Sequence, residues 1–171
     1  MARVCSLDCA IARGKSATAK AAKAAKVKER RDDAVKREKQ KSLATLTREA
    51  QIEFNRYIRE RDRQAGYGCI SSGRPLDWSG NQVDAGHYRS TGAASHLRFN
   101  PDNVHAQSKH DNLWLAGNAV DYRINLIKRI GLERVEALEC DNGIKKWTRD
   151  DLTQIKTRYA AMARELRKAS A

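Results

Sequence analysis

The chain has 171 residues, with 34 Lys and Arg against 21 Asp and Glu, a net charge of +13 and 40% hydrophobic residues. That length suits one domain with an extension or two small units, and the charge calls for an anionic partner, nucleic acid or an anionic membrane surface. No apolar run approaches the ~20 residues that span a bilayer, and MARVCSLDCAIARGK breaks into charges too early for a signal-peptide core, so the expectation is an intracellular, cytoplasmic chain whose cysteines stay reduced.

Residues 1–14 form a short leader containing Cys5 and Cys9. Structural zinc normally takes two close ligand pairs. Cys5-x3-Cys9 has no partner pair, and Cys69 and Cys140 stand alone. Four unconnected thiols is therefore the plain reading.

From Lys15 to Arg63 there is neither Gly nor Pro, and Ala, Lys, Arg, Glu and Gln dominate. That composition favours helix throughout. Between Ile11 and Gln64 there are 17 Lys and Arg against 8 Asp and Glu, which supplies +9 of the net charge. The first half, KSATAKAAKAAKVKERRDDAVKREKQK, has almost no large apolar residues and reads as a solvated helix or partly disordered basic arm. In the second half Leu43, Leu46, Ala50, Phe54, Tyr57 and Ile58 recur at helical spacing and predict a packing face. A boundary near Ser42 divides a leader and arm, residues 1–42, from a folded domain, residues 43–171.

Six glycines and Pro75 punctuate residues 66–100, which read as two or three short strands (CIS, VDAGHY, LRF) joined by turns. From about Asn103 the chain should turn helical and continue through NAVDYRINLIKRI, with a break near Gly117 and an end at Gly131. A short helix over Glu133–Glu139 follows. A last helix begins at Thr148, whose pairing with Asp151 resembles a capping box, and Leu152, Ile155, Tyr159, Met162 and Leu166 form its apolar stripe. The class is α+β, predominantly helical.

All four histidines lie between His87 and His110, together with Asp84, Arg89, Arg98, Asn100, Asn103, Asp111 and Asn112. Phosphodiester hydrolysis needs a base for water, a cation against the charge building on phosphate, and groups that grip the backbone. His87, read as mid-strand, suits the base. Asp84 and Asn112 offer oxygen ligands to a hard ion such as Mg²⁺ or Mn²⁺, with His105 as a further ligand. Arg89, Arg98 and Lys109, with Lys36 and Arg37 in the arm, are the candidates for phosphate contact. Each residue also has a structural reading: a lone strand histidine is more often scaffold, Asn100 and Asn103 beside Pro101 can cap a helix or close a turn, and the arginines can be ordinary surface charges.

The run DAGHYRSTGAASHLRFNPDNVHAQ, followed by SKHDN, GNAVDYR and LIKRIG, resembles the NinG/Rap recombination proteins of lambdoid phages and prophages, over roughly Ile52 to the C-terminus. That family is similar to the His-Me finger (HNH-type) endonucleases, in which a β-hairpin and a helix (a ββα-metal core) cradle one divalent metal. The resemblance implies His87 as general base, Asn103 as the residue that orders the loop and orients the histidine, and Asn112 as a metal ligand on the helix. It implies Asp84 more weakly, because Gly86 stands where an acidic ligand usually precedes the histidine. The family usually carries C-x-x-C-G before the motif and C-x-x-C-N within it, a structural zinc site. Here these read Cys69-Ile-Ser-Ser72-Gly and Ser108-Lys-His-Asp111-Asn. Cys69 is a remnant, and the expectation is no tight zinc. VCSLDCA resembles the second half of an N-terminal zinc ribbon in longer relatives, without its first cysteine pair.

The expected function is a metal-dependent endonuclease that cuts branched DNA, D-loops and Holliday junctions, by shape and phosphate placement. It would work in the cytoplasm of a bacterial host, at the nucleoid, with no membrane association. The competing expectation is a non-catalytic branched-DNA-binding recombination accessory. A third is recruitment of a recombinase partner through the alanine-rich arm and C-terminal helix. Resolving a branch by paired cuts would also make a homodimer attractive.

Overall fold

The structure is a computed structural model that describes residues 6–114 and 118–169. Cys5 and the break expected near Gly117 lie outside the described residues. The chain divides into two compact units, residues 1–42 and 43–171.

The first unit is one long helix, α1 (Leu7–Gln40). Its residues from Gly14 to Gln40 are all exposed, so no apolar stripe holds it. Propensity and local pairs such as Lys36–Asp33, 4.0 Å apart, must suffice, and such pairs contribute only about 0.2–0.5 kcal/mol each.

The second unit is built around a hairpin covered on both faces. Helix α2 (Leu43–Gln64) buries Leu46, Ala50, Phe54 and Ile58, one residue per turn. Against that stripe packs the C-terminal helix α6 (Arg149–Ala169), through Leu152 and Tyr159, with Ile155 and Met162 partly covered. Phe54 sits edge-on to Phe99 and Tyr159, with ring centroids 5.7 and 4.8 Å away. Each fully buried side chain of this size contributes about 1.5–3 kcal/mol. The start of α6 is fixed as its sequence suggests: Thr148 Oγ1 accepts from the Asp151 amide (3.1 Å), and Asp151 Oδ2 accepts from the Thr148 amide (3.0 Å).

Strand β1 (Val83–His87) pairs antiparallel with β2 (Val104–Ser108), Ala85 opposite Ala106 and His87 opposite Val104. Directly opposed residues share a face, so Ala85 and Val104 face the core of α2 and α6. Asp84, Gly86, His105 and Gln107 face the other way. On that side lie helices α3 (Lys109–Trp114), α4 (Ala119–Ile130) and α5 (Leu132–Cys140). A second core of Ile70, Ala94, Leu97, Tyr122, Leu126, Val135 and Leu138 fills this half. Gly131, at φ +87°, ends α4 and lets α5 start at once.

Three expectations change. The stretch after Asn103 is strand β2 before it is helix. Asn100 does cap, taking the Asp102 amide at 2.9 Å, but the turn it starts ends within Pro101–Asn103. Among the described residues CIS and LRF are not strands: Ile70 makes one backbone bond to Ala106 (3.0 Å), and Leu97 closes a 3₁₀ turn. His87 is the last residue of β1, not its middle.

Candidate functional site

The exit of β1 sets the chemistry. His87 Nε2 lies 3.0 Å from the Arg98 carbonyl oxygen. A carbonyl only accepts, so Nε2 carries the proton and Nδ1 keeps its lone pair. Burial holds the ring's pKa below the usual imidazole value. The Arg98 charge acts in the same direction, against the opposing effect of the carbonyl hydrogen bond. His87 is therefore a neutral base near pH 7.

The loop that supplies that carbonyl is held by one amide. Asn103 is fully buried. Its Oδ1 accepts from the Arg89 amide at 2.8 Å, and its Nδ2 donates to the carbonyls of Arg89 (3.0 Å) and Leu97 (3.3 Å). The Tyr88 amide adds a bond to the Asn103 carbonyl at 2.8 Å. Asn103 thus ties both ends of residues 89–97 together, and with them the positions of His87 and its carbonyl partner.

Asp84 and Asn112 meet on the other side. Asn112 Nδ2 donates to Asp84 Oδ2 at 3.0 Å, joining α3 to β1. One carboxylate and one amide oxygen are a partial set of the kind Mg²⁺ accepts when waters and substrate phosphates complete the shell. Among the described residues no three His, Cys, Asp or Glu side chains converge on one point. Asp84 and His87 lie on opposite faces of β1, so the residues form two half-sites and not one closed cluster.

His105 leaves the ligand set. It is 3% exposed, its Nδ1 is 2.9 Å from Arg61 Nη2 and 3.4 Å from Arg129 Nη1, and its Nε2 donates to the Asp102 carbonyl at 3.2 Å. Guanidinium groups only donate, so Nδ1 must accept and its lone pair is spent. Burial lowers the ring's pKa further. Beside it, Asp62 is wholly buried on α2 and accepts from the Ala106 amide (2.7 Å) and from Arg61 (2.7 Å). Burial alone would raise its pKa, but the Arg61 hydrogen bond and charge, with the Ala106 amide, outweigh it and hold Asp62 at about 2. Arg61 also donates to the carbonyls of Pro101 (2.9 Å) and Val104 (3.0 Å), so α2 is bolted to β2 through a polar network. Sequence reasoning missed this network, although a signal exists. Asp62 continues the one-per-turn spacing of Leu46, Ala50, Phe54 and Ile58, which places a carboxylate on the buried face.

The arginines near the hairpin are engaged in the fold. Arg89 Nη1 donates to the Leu138 carbonyl (2.7 Å) and to that of Asp141, at the end of α5. Arg98 Nη1 donates to Gln51 Oε1 at 3.3 Å. Arg89 is thus tied into the fold, whereas Arg98 spends one of its five N–H donors on Gln51. Lys109 remains at the surface, its Nζ on the Asn81 carbonyl at 3.0 Å. Lys36 and Arg37 are exposed on α1, in the other unit.

Gly86 serves Gln107. A Cβ at residue 86 would lie 1.9 Å from Gln107 Oε1. The Gln107 amide crosses that space to donate to Ser71 Oγ at 2.6 Å, and Tyr122 donates to the Gly86 carbonyl at 2.9 Å.

The four positions where the resemblance implies zinc do come together, around a carboxylate. Asp111 Oδ2 accepts from the Cys69 thiol (3.0 Å), Ser72 Oγ (2.9 Å) and Ser108 Oγ (2.7 Å). The Ser108 amide points at Cys69 Sγ (3.2 Å). Burial works against the Asp111 charge, and the thiol and two hydroxyls outweigh it, holding the carboxyl below its usual range. Zinc does not fit this set. Two hydroxyls are weak ligands, one thiol is too few, and every donor already serves Asp111.

A family model described as "Bacteriophage Lambda NinG protein" matches residues 1–169. The chain is 42% identical over 120 residues to "Protein ninG" of Escherichia phage lambda, an alignment covering 70% of this chain and 56% of that relative. "Protein ninG" of Salmonella phage P22 is also 42% identical over 120 residues, covering 70% of this chain and 57% of the relative. The match thus spans little more than half the length of these curated relatives. No solved structure matches the chain.

Proposed function

The chain belongs to the NinG family of phage proteins, and from that premise we propose a structure-selective endonuclease that cuts branched DNA during phage recombination. The observation that carries this reading is the contact of His87 Nε2 with the Arg98 carbonyl oxygen. With Nε2–H committed to the Arg98 carbonyl, Nδ1 is the atom free to take a proton from water. The water oxygen attacks phosphorus, and the bond to the leaving sugar oxygen breaks. Asp84 and Asn112 are the residues that would hold one Mg²⁺ or Mn²⁺, which when bound supplies positive charge against the phosphate oxygens. Asn103 keeps the histidine and its carbonyl in register. The DNA branch would be gripped through α1 and the basic surface of the second unit, by phosphate contacts that carry little base information.

Cleavage of a synthetic Holliday junction and a D-loop, with Mg²⁺ or Mn²⁺, tests this. His87→Ala should lower the rate by about 10²–10⁴-fold and leave junction binding within a few fold. Cutting that survives both His87→Ala and EDTA would sink the assignment.

One observation favours a second reading, a branched-DNA-binding accessory without catalysis. Asp84 and His87 occupy opposite faces of β1. Tight junction binding with no cleavage across Mg²⁺, Mn²⁺, Co²⁺ and Ni²⁺ would decide for it.

A further inference from the structure

Beside the start of β1 lies a small hollow of about 160 Å³, lined by Arg59, Glu60 and Arg63 of α2, by Trp78 and by the segment through Gly80 and Asn81 to Val83. Arg59 and Arg63 stand one helical turn apart, on the same side of α2. Glu60, the one carboxylate in the lining, is paired with Arg167 Nε at 3.5 Å, which offsets its charge. Among the described residues neither Arg59 nor Arg63 has a carboxylate partner. Two like charges one turn apart destabilise a helix slightly, and an anion seated between them reverses that sign.

The Trp78 indole, half-buried, rides on a loop that fixes itself. Asp77 Oδ1 accepts from the Ser79 amide (2.9 Å) and hydroxyl (2.5 Å), and Gly80 takes φ +77°. Lys109, outside the lining, donates to the carbonyl of Asn81, which borders the hollow. The hollow is smaller than the ~300–1,000 Å³ of ordinary small-molecule pockets. Its composition, a flat aromatic face beside two guanidinium forks, is that of a seat for one base and its phosphate.

We propose that this hollow binds an unpaired nucleotide of single-stranded DNA, Trp78 stacking on the base and Arg59 and Arg63 holding the flanking phosphates. The inference rests on the DNA-binding half of the function proposed above and adds what that reading lacks, a means of telling a branch from plain duplex. Val83 borders the hollow and Asp84 follows it in β1, so a strand held here is delivered at the end of the hairpin that carries the Asp84–Asn112 pair.

The test uses the full chain in EDTA. Equilibrium binding is measured to a labelled oligo(dT) and to a duplex of equal length, across a range of salt. Trp78→Ala should weaken oligo(dT) binding about tenfold or more, and Trp78→Phe should restore most of it. Arg59→Ala with Arg63→Ala should weaken it similarly and reduce the salt slope by about 1.4, two phosphates' worth. Duplex affinity should stay within about twofold for all three. Arg63→Glu, at an exposed position, gives the same reading should the double variant fold poorly, with melting curves as the control. Oligo(dT) binding unchanged in every variant overturns the hollow while DNA binding itself stands. Equal losses on duplex and single strand overturn the single-strand preference. A wild-type chain that binds neither DNA overturns this proposal and the one it rests on together.

Discussion

At the scale of single residues, two buried histidines set a pH dependence. Both His87 and His105 titrate below the usual imidazole pKa of about 6.5 in the folded state. Above that value both forms of the chain are neutral there. As the pH falls below it, the unfolded chain takes up protons that the folded rings refuse, so stability declines until the folded pKa values are passed. Asp62 adds a lower step, present above pH 3.8 and lost as the pH falls towards 2. Urea denaturation between pH 3 and 8 should therefore show stability falling below about pH 6.5, and His87→Gln should shrink that upper step. Gly86→Ala places a methyl where Gln107 Oε1 lies and displaces its bond to Ser71, at an expected cost of about 1–3 kcal/mol by thermal melting. Much of this residue-level detail was legible in the sequence. The histidine cluster marked the hairpin, and DAGHYR marked its first strand. The role of His105 was not legible. Whether an imidazole lone pair faces solvent or an arginine depends on Arg61 and Arg129, distant in sequence, and no local pattern carries that information.

Elements were legible where one face is apolar and opaque where both faces are covered. The stripes of α2 and α6 announce themselves because helical period and burial coincide. VHAQS does not, since His105 and Gln107 are buried polar residues satisfied by other elements, and the alternation that identifies a half-exposed strand vanishes. The resemblance grouped Cys69, Ser72, Ser108 and Asp111, but not the way they hold one another. Read singly they are one thiol, two hydroxyls and a carboxylate, and only their convergence shows that they join the segment before β1 to the start of α3. Asp111→Ala leaves three donors without their common acceptor. It should cost about 2–3 kcal/mol, read as a lowered melting temperature, whereas Asp111→Asn, which keeps one acceptor oxygen, should cost less.

For the whole molecule, the division at residues 42 and 43 separates charge from packing. Among the described residues α1 buries no side chain, and the second unit contains both cores. Removal of residues 1–42 should therefore leave the melting temperature of the remainder nearly unchanged. It should lower DNA affinity and flatten its salt dependence by about 0.9 for each duplex phosphate that the arm no longer neutralises, measured by titration at two or more salt concentrations. The Asp111 clasp has a practical corollary for anyone working with this molecule. In a protein knotted by zinc, a sequestering agent strips the scaffold along with any working ion, and vanished activity is then ambiguous between collapse and starvation. Here the clasp is made of hydrogen bonds to Asp111, so a chelator should leave the melting curve of the second unit where it was, and a loss of cutting under EDTA would then report on the proposed chemistry and not on collapse.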